Sequence, residues 1–159
     1  MRLFFHPFGA GSVHCRHRGE APKEDRIRVI VHQGKQILLA DLSLCTPREV
    51  EKIALLVPSY VTSEPRGSVL LLADFTSAEF DRVAIDRLKE SVVFDRPHLK
   101  RSAWVGIESL PKVFYEHIKS FSQRDLPAFR TREEAMDWLV SEEELQLPDR
   151  TLGDLPKRR

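Results

Sequence analysis

Hydrophobic and polar positions change their period several times between Arg26 and Ser141, and each change marks an element. Ile27, Val29 and Val31 alternate with Arg28 and His32, although Ile30 is also apolar. After Gln33-Gly34-Lys35 a second run follows, Gln36-Ile37-Leu38-Leu39-Ala40. Two β-rich runs around a short glycine-containing turn predict a β-hairpin. Residues 68–74 hold a continuous apolar run, Val69 to Ala73, of the kind that is buried on both faces in a parallel sheet. Ala103-Trp104-Val105-Gly106-Ile107 reads as a further strand, and Pro127-Ala128-Phe129 as a short edge strand.

Helical periods lie between the strands. Thr46-Pro47-Arg48-Glu49 supplies a cap, a first-turn proline and a glutamate three residues after the cap. Val50, Ile53, Ala54, Val57 and Val61 then share one face. Pro58 lies inside that run and predicts a kink or an early end. A second helix is predicted from about Asp81 to Phe94, with Ala84, Ile85, Leu88 and Val92 as its apolar stripe and Pro97 beyond its end. A third spans about Ser109 to Ser122, lined by Leu110, Val113, Phe114, Ile118 and Phe121, with Lys112, Glu116 and Lys119 opposite. Thr131-Arg132-Glu133-Glu134 is a capping box that opens a short last helix, with Ala135, Trp138 and Leu139 facing inward. The order β-β-α-β-α-β-α-β-α predicts an α/β fold. Its sheet is mixed but mostly parallel, of four or five strands, with an N-terminal β-hairpin and about four helices.

The ends differ from this middle. Residues 1–25 are rich in Gly, His, Pro and charge and follow neither period, so they read as a flexible leader. Residues 142–159 turn acidic and finish on Pro156-Lys157-Arg158-Arg159, and are expected to be a loosely held tail. The domain proper is thus expected over 26–141. A net charge of +1 gives no global field to recruit nucleic acid, and no helix is dense in Arg and Lys. The longest apolar runs are far too short to span a bilayer. The start, MRLFFHPFGAGS, is a poor signal peptide because His6 and Pro7 break it. Cys15 and Cys45 are the only cysteines, so a disulfide framework is not expected and a reducing, cytoplasmic setting is.

Several groups carry competing readings. Asp74, Thr76 and Ser77 sit at the carboxyl end of a central strand, where α/β sheets often bind ligands and where a following helix N-terminus favours an anion. The alternative is that Asp74 and Thr76 cap turns. Arg96, His98, Lys100, Arg101 and Ser102 form the densest basic stretch, either a dock for an anion or an acidic partner or an ordinary solvated loop. His14, Cys15 and His17 with His6 are metal-ligand types, but the paired spacings of zinc sites are absent, and no metal or cofactor is expected. Cys45 precedes a helix start, which lowers a thiol pKa, yet the commoner role there is a small buried cysteine. Gly9-Ala10-Gly11-Ser12 lacks the ending of a phosphate loop. Trp104 and Phe114 are core by their periodicity, and would line a pocket if the third helix flanks one.

Four stretches resemble the SpoIIAA-like family, relatives of the STAS domains of anti-sigma-factor antagonists. They are Ile37 to Ser43 (ILLADLS), Val69 to Phe80 (VLLLADFTSAEF), Arg101 to Phe121 (RSAWVGIESLPKVFYEHIKSF) and Arg124 to Val140 (RDLPAFRTREEAMDWLV). The resemblance covers 26–141 and implies a STAS-like fold. It further implies a non-enzymatic regulatory or binding module acting through protein–protein contacts. CRAL-TRIO-like proteins use a related fold to hold lipids, which implies the alternative of a carrier or sensor of a small hydrophobic or anionic ligand. Phospho-switched members carry an Asp-Ser-Ser-Gly turn at the helix after the third strand. Here that position reads Phe80-Asp81-Arg82-Val83, without a hydroxyl, and Thr76 and Ser77 lie upstream, so the resemblance transfers no phosphorylation. An enzyme using Asp41, Asp74 or Cys45 ranks third, because acid, base and nucleophile are not clustered in the sequence.

Overall fold

Gln33 and Gly34 both adopt positive φ, 48° and 77°, and close a two-residue hairpin turn of the hand that matches strand twist. That turn joins β1 (Ile27–His32) to β2 (Lys35–Asp41) in antiparallel register, with His32 opposite Lys35 and Ile27 opposite Ala40. The computed structural model describes residues 26–122 and 126–141; the side chains of 121 and 122 are not among those described. The predicted leader and tail therefore lie outside the described residues, as do the His6, His14, Cys15 and His17 group and the Phe121 side chain.

Beyond the hairpin the chain runs α1 (Pro47–Thr62), β3 (Val69–Asp74), α2 (Arg82–Asp95), β4 (Leu99–Val105), α3 (Lys112–Ser122), β5 (Ala128–Phe129) and α4 (Arg132–Val140). One turn of 3-10 helix, Ile107–Ser109, precedes α3. The strands lie side by side in the order β1-β2-β3-β4-β5, with β2 to β5 parallel. This is the predicted α/β architecture: a mostly parallel mixed sheet, an antiparallel hairpin at one edge and four helices. Each parallel connection steps to the next strand in one direction. Right-handed crossovers then place α1, α2 and α3 on the same face.

That face forms the larger core. Val50, Ile53, Val57 and Val61 of α1, Leu88 of α2, and Phe114 and Ile118 of α3 pack on Leu38, Leu71 and Trp104. Among the described elements the opposite face is covered by α4, whose Ala135, Leu139 and Val140 pack on Ile37, Leu39, Leu70, Leu72, Ala103 and Val105. All six residues of β3 are buried, which explains its uninterrupted apolar run. In β4, Val69 faces Leu99 but Leu70 faces Arg101, so Lys100 is an extra residue in a bulge. The bulge lets Leu99 and Ser102, three apart, both turn toward the helical core.

Two expectations need correction. α1 does not end at Pro58 but continues to Thr62. The proline forfeits one helical hydrogen bond, while Val57 and Val61 on either side are held in the core. Its start is as expected: Glu49 accepts the Thr46 N–H (2.8 Å) and hydroxyl (3.0 Å). α3 begins at Lys112 rather than Ser109, because Gly106 in left-handed conformation turns the chain into the short 3-10 segment first. Val113 points to solvent, while Leu110, Phe114 and Ile118 are buried. In α2 the buried face is Ala84, Leu88, Ser91 and Asp95, with Ile85 and Val92 only partly covered. Among the described residues no helix is long and apolar enough to cross a membrane.

Gly106 sits where the ends of β3 and β4 come closest. A Cβ there would lie 2.3 Å from the Thr76 backbone nitrogen and 2.5 Å from its Cα, at φ +71°. Gly34 has a similar φ, +77°, but nothing within 4 Å of a built Cβ. Gly34→Ala is expected to cost about 1 kcal/mol from backbone conformation alone. Gly106→Ala must also push backbone aside and is expected to cost about 3 kcal/mol or more. Urea midpoints of the two variants check the difference.

Candidate functional site at the carboxyl edge of the sheet

Parallel strands deliver their last residues to one edge, and two neighbours here end on aspartate. Asp41 closes β2, Asp74 closes β3, and the two are register partners. Each is followed two positions later by a hydroxyl residue that folds back on it. Asp41 Oδ1 accepts the Ser43 N–H (3.1 Å) and hydroxyl (2.5 Å). Asp74 Oδ1 accepts the Thr76 N–H (2.9 Å) and hydroxyl (2.6 Å). The next residue in each turn is left-handed: Leu44 at φ 56° and Ser77 at φ 55°. The same turn is thus built twice, side by side. Backbone bonds Leu42 N–H to Asp74 O and Leu44 N–H to Thr76 O, each 2.9 Å, lock the copies together.

Arg132, the first residue of α4, spans the pair. Its Nη2 lies 2.9 Å from Asp41 Oδ1 and its Nε donates to Asp74 Oδ2 at 2.5 Å. The side chains of Asp41, Asp74 and Arg132 are 13%, 5% and 33% exposed. Burial alone would raise the Asp41 carboxyl, but the Ser43 hydroxyl and the Arg132 guanidinium together hold it below the usual range. Burial opposes the charge on Arg132, and the hydrogen bond to Asp74 and the charge of Asp41 overcome it, raising its pKa. Arg26 and Arg28 add longer contacts to Asp41, 3.9 Å each, and Arg26 Nη1 donates to Ser43 O at 2.7 Å. Asp74 is thus engaged through both oxygens and Asp41 through Oδ1, with Arg28 3.9 Å from its Oδ2. This arrangement fixes two loops.

Around that fixed centre the edge is exposed. Thr76 and Ser77 are at the surface, and Ser77 N–H donates to Ser109 Oγ at 2.9 Å, tying this loop to the 3-10 turn. Leu44 is 77% exposed. Glu79 and Glu108, next in the chain to this cluster, are exposed as well.

The basic stretch before and within β4 does not converge. Arg101 turns to the α4 face, where Nη1 donates to Trp138 O and Ser141 O at 2.7 Å and the guanidinium stacks 3.9 Å above the Trp138 ring. Ser102 points the other way and is buried. His98 Nδ1–H donates to Glu64 O at 2.7 Å. Arg96 and Lys100 are exposed, Arg96 as the C-cap of α2 and Lys100 in the bulge. Trp104 and Phe114 share one core. Trp104 contacts Phe75 and Tyr115 at ring separations of 5.1 and 5.9 Å and borders a small cavity that Phe114 does not line. Cys45 is buried, and burial pushes its thiol up to about 11, far from a thiolate nucleophile at neutral pH. Among the described residues no three His, Cys, Asp or Glu side chains are grouped to hold a metal.

Arg132 and Leu44 are the functional-site residues that periodicity overlooks. Arg132 occurs in the sequence only as the second residue of a capping box. Its signal is topological: a helix that follows a parallel strand starts at the carboxyl edge, where Asp41 and Asp74 also end. The repeated Asp-x-Ser/Thr spacing of Asp41-Leu42-Ser43 and Asp74-Phe75-Thr76 is the signal for the twin turns.

Replacing Arg132 with methionine leaves two buried carboxylates facing each other and is expected to cost about 3 kcal/mol at neutral pH. The sign with pH follows from Asp41. Its folded pKa is lowered, so its stabilising contribution is present above the unfolded value and is lost as pH falls through the folded one. The wild type is expected to weaken on acidification below about pH 4. In Arg132→Met protonation relieves the repulsion, so the gap to wild type is expected to narrow over the same range. Unfolding curves at pH 7 and pH 4 measure both effects; a constant gap would remove the electrostatic explanation.

No family model matches the chain, and no curated protein and no solved structure matches it at a significant level.

Proposed function

We propose that this protein is a non-enzymatic, STAS-like binding module that docks a protein partner through the carboxyl edge of its sheet. The observation that carries the reading is Leu44. An apolar side chain stands 77% exposed in a left-handed conformation, which costs a non-glycine residue about 1–2 kcal/mol. Its N–H is held by Thr76 O, so the loop keeps it there. Strain of this kind persists where surrounding structure imposes it, and it clusters at functional sites. Ser77 repeats the conformation in the adjacent loop. Together they present one apolar knob beside a row of hydroxyls, Ser43, Thr76, Ser77 and Ser109, on a frame that Arg132 holds rigid. The resemblance to SpoIIAA-like proteins points to the same class of role.

The partner that fits offers an apolar pocket for Leu44, groups that hydrogen-bond the hydroxyl row, and basic residues facing Glu79 and Glu108. Hot spots of this form, an anchor in a pocket with a polar surround, carry most of the energy of an interface. The exposed hydroxyls of Thr76 and Ser77 also place a modifiable group inside the contact. A phosphate there would add charge of about −2 and oppose a partner matched to neutral hydroxyls.

Leu44→Gly separates the roles. Glycine tolerates the left-handed backbone, so stability is expected to stay within about 1 kcal/mol of wild type. Partner affinity is expected to fall at least about tenfold. A photo-reactive leucine analogue at position 44, irradiated in cells of the native host, identifies the partner. The purified pair is then titrated with wild-type and glycine variants at low and high salt. Loss of binding in the variant, with weaker wild-type binding at high salt, is the expected result. No crosslinked species, or equal affinity for wild type and Leu44→Gly, would sink the proposal.

A further inference from the structure

Under α2, on the helical side of the sheet, lies a cavity of about 60 Å³. Its walls are apolar, among them Ile53 and Val57 of α1, Leu71 of β3, Leu88 of α2, Trp104 of β4 and Leu126. Asp95, Ser91, Ser102 and Arg96 supply its polar lining. Asp95 is 2% exposed. Its Oδ2 accepts the Ser91 hydroxyl at 3.1 Å, but its Oδ1, also buried, accepts no hydrogen bond from any described residue.

That oxygen is anomalous on two counts. A buried acceptor without a partner costs about 1–3 kcal/mol, so native interiors rarely keep one. Asp95 also occupies a position at which packing calls for an apolar residue. Ala84, Leu88, Ser91 and Asp95 follow one another at intervals of four, three and four along the inner stripe of α2. A leucine at 95 would complete that stripe. Burial pushes the carboxyl up to about 7, against the Ser91 hydrogen bond and the nearby charge of His98. The carboxyl is thus only partly ionised near neutral pH, and in the ionised form its free oxygen lacks a donor.

We propose that the cavity is a binding site for a small neutral molecule with an apolar body of about three to five heavy atoms, whose single O–H or N–H donor is accepted by Asp95 Oδ1. Size sets the body: an engineered cavity of about 150 Å³ takes benzene, and this one is smaller. An acyl chain of a membrane lipid does not fit. Burial sets the head: an almost wholly apolar lining disfavours a charged ligand. The lining of apolar side chains with one unmatched acceptor selects a donor over an otherwise identical molecule without one, because the latter leaves the acceptor unmatched. This site is separate from the carboxyl edge, and nothing in its argument depends on Leu44.

Pyrrole and furan test this directly. The rings match in shape, and pyrrole carries an N–H where furan has an oxygen. Each is titrated into the full-length protein while NMR follows the Asp95 carboxyl carbon, the Trp104 indole and the Leu88 methyls. Pyrrole is expected to shift all three saturably and to bind at least tenfold tighter than furan. Asp95→Leu is expected to abolish the preference, and Leu44→Gly to leave it unchanged. The wild-type comparison decides alone if Asp95→Leu does not fold. Equal binding of the two rings, or no saturable shift with either because water already satisfies Asp95, would overturn the inference.

Discussion

One guanidinium holds the far ends of this chain together. Arg132 belongs to the last helix, and the carboxylates it joins close β2 and β3, 91 and 58 positions earlier. Everything at the carboxyl edge takes its geometry from that contact. Asp74 accepts from its own turn on one oxygen and from Arg132 on the other, while Asp41 Oδ1 takes both its own turn and the guanidinium. Breaking the centre would loosen two loops at once, and among the described elements α4 is also the cover of the second core. The electrostatic tie and the burial of Ala135, Leu139 and Val140 are therefore two halves of one docking event.

The helical side of the sheet obeys a simpler constraint. Three crossovers in one direction stack three helices on one face, and their apolar stripes need only match β2, β3 and β4 beneath. Among the described strands the order reverses nowhere, so they form no crevice of the kind that doubly wound sheets use for ligands. Binding surfaces must come from elsewhere. The candidates proposed here are loops that display groups outward and a space left inside the larger core by a helix that places Ser91 and Asp95 where larger apolar groups would pack.

Strands and helices were legible because burial imposes a period on sequence. The six apolar or paired positions of β3, the Gln33-Gly34 turn and the Thr46 cap each announce themselves within a few residues. Errors came where local and tertiary preferences disagree. Pro58 discourages a helix locally, yet Val57 and Val61 anchor the helix through it. Val113 fits an apolar stripe by spacing, but Phe114 and Ile118 set the inner face of α3 and leave Val113 outside it. The site was half legible. Asp74, Thr76 and Ser77 stood out by position at a strand end, whereas Arg132 reaches them only through the fold. Asp95 was hidden because a polar residue near a helix end reads as solvent-facing, although its spacing from Ala84 and Leu88 sets it inside.

Neighbours in this sheet are also neighbours in the chain, which orders events on the ribosome. Each strand that emerges finds its partner already made, so β1 to β4 can zip together as synthesis proceeds. The face bearing Ile37, Leu39, Leu70 and Leu72 lacks the cover of α4 meanwhile, and Asp74 stands without the Arg132 guanidinium. A nascent chain that stalls before Arg132 consequently lacks both the apolar cover and the ion pair that α4 supplies. Helix α4 then works as a latch, closing the second core and the ion-paired edge in one step.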